Sequence, residues 1–456
     1  MHIIRRKVVL LCLISAKFNL DKHFLNMSNL AIYGGKPVRT KKFPAYRVID
    51  EQEKEAVCRV LDSGVLSRYL GAWHEDFYGG PEVRLLEKEW AVYFGVKHAI
   101  SVNSCTSGLQ CAVGALGISP GDEVIVSPYS MCASATMPLW YGAVPVFADI
   151  EQEYFCLDPK SIEDKITSKT KAIIAVDIFG QPINAEAINK IAKKHNLKVI
   201  EDCAQAIGAK NGTKMAGTLC DLGVYSLNYH KHIHAGEGGI VVTNNDDLAE
   251  KVRLIRNHAE AVVENKGNKD LINMVGCNFR LTEIQAAIAR VQLGKLDYLL
   301  KARIENCEYL SEKLSQFPGI SSPKVRANCK HVYYVQPFLF DESVIGVTRD
   351  KFIEAVKAEL PVTELRETEG VKLGCGYVKP LYLLPLFQKK IAFGDHHYPF
   401  NLSDTSYTKG ICPVAEGAFE KRLFTHELMR PPMTKEDLDD VVKAFEKVYM
   451  LKSDLK

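Results

Sequence analysis

Lys198-Val199-Ile200-Glu201-Asp202-Cys203-Ala204-Gln205 is a short apolar run that closes on two carboxylates and opens into small polar residues. It is too short for a helix and lacks the alternation of a half-wet strand. It therefore reads as a strand buried on both faces. The pattern recurs on either side, at His98 to Asn103, Glu123 to Ser127, Val144 to Asp149, Lys171 to Phe179, Gly223 to Leu227 and Gly239 to Thr243. Turn signals such as Pro120-Gly121-Asp122 and Asn244-Asn245-Asp246 punctuate these runs, and helical stretches such as Asn184 to Lys194 lie between them. Strands alternating with helices predict an α/β fold with a mostly parallel, seven-stranded sheet between helices.

Past Phe279 the periodicity changes. Ile284, Ala287, Ile288 and Val291 fall at i, i+3, i+4 and i+7 and open a long helix. Strands then become sparse, and a last helix follows Thr434, whose spacing to Asp437 is that of a capping box ahead of Leu438, Val441, Val442 and Phe445. We expect a large α/β domain with an N-terminal arm over residues 27–295 and a smaller C-terminal α+β domain over 296–456. Residues 1–26 read as an N-terminal extension. Arg5, Arg6 and Lys7 ahead of Val8 to Ile14 look like a weak signal, but the apolar run is at the short limit and no small-x-small cleavage site follows. Met27 opens Ser28-Asn29-Leu30-Ala31-Ile32-Tyr33-Gly34-Gly35, which reads as a natural start, so a mis-set start upstream is preferred.

Composition excludes several classes. At 47% hydrophobic and 25% charged residues, the 456-residue chain is neither disordered nor collagen-like. Its 58 basic against 55 acidic residues leave no electrostatic footprint for nucleic acid. No apolar run reaches the roughly 18 residues that suggest a membrane span. The 13 cysteines contain no C-x-x-C pair. Reduced thiols of a cytoplasmic protein are expected, not a disulfide framework, a zinc site or an iron–sulfur cluster.

Three stretches are suited to chemistry. Asn103-Ser104-Cys105-Thr106-Ser107-Gly108-Leu109 joins a strand to a helix start. Free N–H groups and the helix dipole favour an anion there, and the hydroxyls of Thr106 and Ser107 add phosphate donors. An ordinary N-cap by either residue is the alternative. Asp202 ends its strand at the carboxyl edge, where open α/β sheets bind ligands, and is suited either to a protonated ring nitrogen or to capping a helix. Tyr225-Ser226-Leu227-Asn228-Tyr229-His230-Lys231-His232-Ile233-His234-Ala235-Gly236-Glu237-Gly238-Gly239 carries one lysine in a polar loop before a glycine turn. Lys231 is either solvated or able to form a Schiff base with an aldehyde cofactor. The glycines make no dinucleotide fingerprint, because Val241 stands where a third small residue belongs. The alternating histidines lack a carboxylate or cysteine at ligand spacing, so no metal is expected.

In order and spacing these stretches resemble the DegT/DnrJ/StrS family of sugar aminotransferases, pyridoxal-phosphate enzymes of fold type I. The resemblance runs from Leu30 to the C-terminus. It includes Gly79-Gly80-Pro81, Gly121-Asp122-Glu123-Val124-Ile125-Val126, Gly236-Glu237-Gly238-Gly239, Asn278-Phe279-Arg280-Leu281-Thr282-Glu283-Ile284-Gln285-Ala286-Ala287 and Cys412-Pro413-Val414-Ala415-Glu416. It implies that Lys231 is the Schiff-base lysine and that Asp202 pairs with the pyridine nitrogen, the two forming the catalytic set. It implies that Gln205 lies near the ring and that Thr106, Ser107 and Ser226 hold the phosphate of pyridoxal 5'-phosphate. Asn278 matches a residue that reaches the phosphate from the partner subunit, which implies a homodimer with shared sites. The ring-stacking position, often aromatic in the family, aligns with Met131, whose thioether can contact a ring. A slipped register makes it Tyr129.

A dehydrase branch of the family carries histidine in place of the lysine. Five residues on from Ser226 lands on Lys231, and the glycine turn gives the same register, so an aminotransferase is expected. The resemblance implies glutamate or glutamine as amino donor and a keto-sugar, nucleotide-linked, as acceptor. Extra length around Gly374 to Pro413 keeps a keto-cyclitol such as scyllo-inosose as the alternative. A non-catalytic regulatory relative is a third reading, disfavoured by the complete set of Lys231, Asp202, Gln205 and Ser226. His230 and His232 either line the acceptor pocket or face solvent.

Overall fold

The seven apolar runs form one sheet in the computed structural model, which describes residues 29–456. The extension 1–26 lies outside the described residues. The strands are β1 (His98–Val102), β2 (Glu123–Val126), β3 (Val144–Phe147), β4 (Thr170–Val176), β5 (Lys198–Asp202), β6 (Leu222–Ser226) and β7 (Gly239–Thr243), in the order β1-β7-β6-β5-β4-β2-β3. From β3 to β6 all neighbours pair parallel. β7 pairs antiparallel with both β6 and β1. β2, β3, β6 and β7 are buried at every position, the reason their sequences run apolar without alternation. Helices α1 (Glu51–Ser63) and α2 (Pro81–Phe94) precede these strands in the chain, α3 (Cys105–Ala115) and α4 (Ala185–His195) lie between them, and α5 (Asp246–Arg256) follows the last.

Most strand ends fall within two residues of expectation, and two differences have a clear local cause. The run to Phe179 stops pairing at Val176, because Asp177 turns back to accept the Ile183 N–H at 2.8 Å and Phe179 adopts φ 60°. Helix α3 is capped neither by Thr106 nor by Ser107. The chain is still extended at Ser104, whose Oγ accepts the Ser107 N–H, while Ser107 Oγ accepts the Ser104 N–H.

α6 (Glu283–Leu314) starts at the expected place, capped by Thr282 and Gln285, and runs 32 residues through position 295 without a break. Its first half buries Leu293, Leu296 and Leu300 with Ile207 and Tyr225 of the large sheet layer. Its second half buries Cys307, Leu310 and Leu314 in a second core with Phe338, Phe424 and Phe445. That core contains an antiparallel sheet, ordered β8 (Ile320–Ser321), β9 (Gln336–Phe340), β11 (Leu423–His426), β10 (Leu373–Cys375). Helices α7 (Arg349–Ala358) and α8 (Lys435–Met450) cover it, and α8 is capped by Thr434 and Asp437 as its sequence predicts. The N-terminal arm also joins this core. Leu30 and Phe43 are buried in it, and Ala31 N–H donates to Glu359 Oε1 at 2.8 Å.

Most of the extra length after Gly374 packs on the first core, where Phe387, Phe400, Tyr407 and Cys412 are buried and Tyr407 donates to the Pro145 carbonyl on β3 at 2.8 Å, while Leu381 N–H bonds the Pro128 carbonyl beyond β2. No helix among the described residues is long and apolar enough to cross a membrane.

Candidate active site

The parallel strands β5 and β6 end side by side, and their register brings Asp202 level with Val224. Beyond them opens a cavity of about 430 Å³ walled by Thr106, Met131, Asp202, Gln205, Ser226 and Lys231. It lies at the carboxyl edge of the sheet, where strand ends leave loops free to carry ligand-binding groups.

One wall is the start of α3. The Ser107 N–H is taken by the cap and the Gly108 N–H bonds the Ser104 carbonyl. The N–H groups ahead of them are the helix-start donors left for an anion, with the Thr106 hydroxyl beside them. Ser226 Oγ accepts the Asn228 N–H at 3.3 Å, so its own O–H remains a donor towards the cavity. β7 approaches this helix start closely. A Cβ on Gly239 would lie 2.6 Å from the Ser104 carbonyl carbon and 2.7 Å from the Cys105 nitrogen. Gly238 takes φ 155°, so the glycine turn meets both a conformational and a packing requirement.

Asp202 forms another part of the wall. Its Oδ2 accepts from Ser134 Oγ at 2.7 Å and its Oδ1 from the Ala204 N–H at 3.1 Å. It caps no helix. Burial pushes its pKa up, while Ser134, the Ala204 N–H and the Lys231 charge pull it back. A buried carboxylate in this position is stabilised as the anion by a cation in the cavity, such as a protonated ring nitrogen. Gln205 is locked by both ends of its amide. Oε1 accepts the Phe179 N–H at 2.8 Å, and Nε2 donates to Tyr377 Oη at 3.0 Å.

Lys231 enters from the β6–β7 loop, its Nζ 4.2 Å from the centre of the Tyr334 ring. Tyr334 is held by its N–H on the Phe179 carbonyl at 2.7 Å. Met131 is in the cavity wall, with Sδ accepting the Ala133 N–H at 3.3 Å. Tyr129, the alternative stacker, is fully buried edge-on between Phe179 and Tyr377 and does not reach the cavity.

Two sequence candidates stand outside the cavity wall. Ser107 Oγ is drawn into the cap and donates to Asn103 Oδ1 at 2.6 Å. Asn278 is exposed on a loop that bridges Asn257 and is tied to β1 by the Phe279 carbonyl, which accepts the Asn103 N–H at 2.9 Å. The three alternating histidines do not converge. His230 Nδ1 meets Arg366, His232 Nε2 meets the Val332 carbonyl, and His234 Nδ1 accepts the Gly236 N–H. Sequence reasoning missed Ser134 and Tyr334. Ser134 sits among small residues with no motif around it. Tyr334 is 103 positions from Lys231, and only folding brings them together.

A lysine amine, a buried carboxylate and a helix start with free N–H donors gather at the carboxyl edge of this sheet, and the sheet is that of a fold type I aminotransferase. Residues 48–446 match the DegT/DnrJ/EryC1/StrS aminotransferase family, and the chain belongs to it. It is 37% identical over 311 residues to the GDP-perosamine synthase of Caulobacter vibrioides, covering 68% of this chain and 80% of that protein. It is 30% identical over 436 residues to an L-glutamine:2-deoxy-scyllo-inosose aminotransferase of Streptoalloteichus tenebrarius, covering 92% and 97%. Among solved structures, an aminotransferase from Psychrobacter cryohalolentis superposes with a TM-score of 0.76 at 28% identity, covering 90% of this chain and 99% of that one.

Proposed function

We propose that the enzyme uses pyridoxal 5'-phosphate to move an amino group from glutamate or glutamine to the ketone of a sugar ring, the ring being nucleotide-linked. The observation that carries this reading is the convergence of Lys231, Asp202 and the α3 start on one cavity. Thr106, Ser226 and the first N–H groups of α3 would hold the phosphate. Asp202 would hold a proton on the ring nitrogen, and Ser134 keeps its carboxylate aimed. Gln205 would fix the ring's hydroxyl edge, and Met131 would lie against its face. The cofactor, when bound, supplies an electron sink and a temporary carrier for the amino group. Lys231 Nζ then takes the proton from the carbon bearing the substrate nitrogen and returns one to the acceptor carbon, a task for a positioned amine. Ser107 would contribute by holding the helix start in shape.

A second acceptor class is favoured by a specific observation. The relative named for 2-deoxy-scyllo-inosose matches over nearly its whole length, whereas the perosamine synthase matches over a shorter span. A keto-cyclitol is therefore the alternative acceptor. The test is incubation of the cofactor-loaded enzyme with glutamate or glutamine and either GDP-4-keto-6-deoxymannose or 2-deoxy-scyllo-inosose, followed by mass spectrometry. An aminated ring is expected, and no aminated product from a range of keto-sugars and keto-cyclitols would overturn the reading.

We also propose a cytoplasmic homodimer with shared sites. The 12 described cysteines are unpaired, consistent with a reducing compartment. Leu66, Leu70, Trp73, Leu271, Ile272 and Val275 are exposed on segments flanking the Asn278 loop, an apolar grouping that suits a partner face. Asn278 at its border would reach the partner's phosphate.

A further inference from the structure

His230 precedes Lys231 on the loop that enters the cavity and is itself one of the cavity-lining residues. The ring is held from behind by Arg366, from the turn ahead of β10. Arg366 Nη2 lies 3.0 Å from His230 Nδ1. A guanidinium has donors only, so Nδ1 is the acceptor and carries no proton. The single ring proton therefore sits on Nε2, on the other side of the imidazole. Arg366 is itself committed. Its Nε and Nη2 bind Glu369 at 2.8 and 2.6 Å, and its Nη1 binds Glu427 at 2.7 Å. Glu427 also pairs with Arg430 at 2.6 Å. Burial first, and the Arg366 charge second, push the His230 pKa down to about 4, with Arg430 adding and Glu427 and Glu369 opposing. The imidazole is thus neutral at any working pH, and its Nε2–H has no acceptor among the described residues.

We infer that His230 is a specificity-determining residue whose Nε2–H donates to an uncharged oxygen, carbonyl or hydroxyl, on the acceptor ring. The inference rests on the proposed reading of the cavity as the transamination site. A neutral donor has no Coulombic preference for a carboxylate, and the Arg366 guanidinium that holds it is already paired with two carboxylates. This wall suits a hydroxylated ring better than a keto acid. A substrate lacking that oxygen would leave the donor unpaired, a cost that corresponds to roughly 10- to 100-fold in selectivity.

Two measurements test this. In the histidine-¹⁵N-labelled holoenzyme, the resonance lost in His230→Gln identifies the ring. It should report an Nε2–H tautomer that does not titrate between pH 5 and 9. In rapid kinetics, the half-reaction with glutamate is compared with the return half-reaction on GDP-4-keto-6-deoxymannose or 2-deoxy-scyllo-inosose, whichever the wild type accepts. His230→Phe should lose about 10- to 100-fold more in the return half-reaction than in the donor half-reaction. His230→Gln, which keeps an N–H at similar reach, should recover most of that difference. An Nδ1–H tautomer, a titrating ring, equal losses in both halves, or no rescue by glutamine overturns the inference. A wild-type enzyme that fails with glutamate and glutamine alike would instead count against the transamination reading itself.

Discussion

Lys231 Nζ rests over the Tyr334 ring while Asp202 is pinned by Ser134 and the Ala204 N–H, so the two groups reach the cavity by separate supports. Their loss should therefore separate in experiment. Lys231→Ala keeps the cap of α3 and the Asp202 contacts. It should fold with an unchanged denaturation midpoint yet lose turnover by at least about 10²–10⁴-fold, the range for a positioned acid–base group. Borohydride treatment of the wild type, followed by peptide mass spectrometry, should find the cofactor mass on Lys231; finding it on another lysine would sink the assignment. Asp202→Asn removes the charge but keeps the shape. Turnover should fall about 10²–10³-fold, as expected for one aimed electrostatic group. The cofactor dissociation constant should move far less, because the phosphate donors are untouched. Near-normal turnover would reduce Asp202 to a turn-forming residue.

At the scale of elements, the site depends on how closely β7 lies under the start of α3. Gly239→Ala would put a methyl group into the Ser104–Cys105 backbone. The helix start must shift, so we expect a loss of about 1–3 kcal/mol in urea unfolding, typical of overpacking, together with weaker cofactor binding. A variant with wild-type values in both would mean that the approach is not tight. Beneath the cavity, side chains alternate across β5, so Glu201 points away from Asp202 and joins Asp177 and Cys203 on the other side. Burial raises Asp177 to about 7 and Glu201 well above the usual carboxylate range. Raised folded-state values mean that the folded chain keeps protons the unfolded chain has released. This stabilisation is complete below about pH 4, the unfolded carboxylate value, and is lost as pH rises through about 7. Asp177→Asn cannot ionise and should flatten the decline of thermal stability between pH 5 and 8. An unchanged slope would remove Asp177 as its source.

At the scale of the whole molecule, α6 is common to both cores, and the N-terminal arm crosses to the second core. This helix is unbroken and begins five residues after Asn278. If the site is shared across a two-fold pair, Lys231→Ala and Asn278→Ala chains, each inactive alone, should complement when mixed. One site of each mixed pair then has an intact Lys231 and an intact Asn278, and about a quarter of all sites should recover after random exchange. Confirmed subunit exchange without recovered activity would refute the shared site and leave the cofactor chemistry standing.

The seven strands, the long helix, the cap at Thr434 and the order of the site motifs were legible from the sequence alone. These are local signals, since apolar runs, i,i+3 and i,i+4 spacings and hydroxyl–acid capping pairs act within a few residues of one another. Thr106, Asp202 and Lys231 were legible as candidates from their places at a helix start, at a strand end and in a loop closed by glycines, whereas Gln205 and Ser226 came with the family resemblance. Tertiary structure alone decided that Ser134 supports Asp202, that Tyr334 lies over Lys231 and that Arg366 orients His230. It also decided that the segment after Gly374 packs on β3 while its Tyr377 reaches Gln205. Each of these outcomes depends on contacts between residues far apart in the chain, and no local spacing encodes which distant side chain meets which once the sheet has closed.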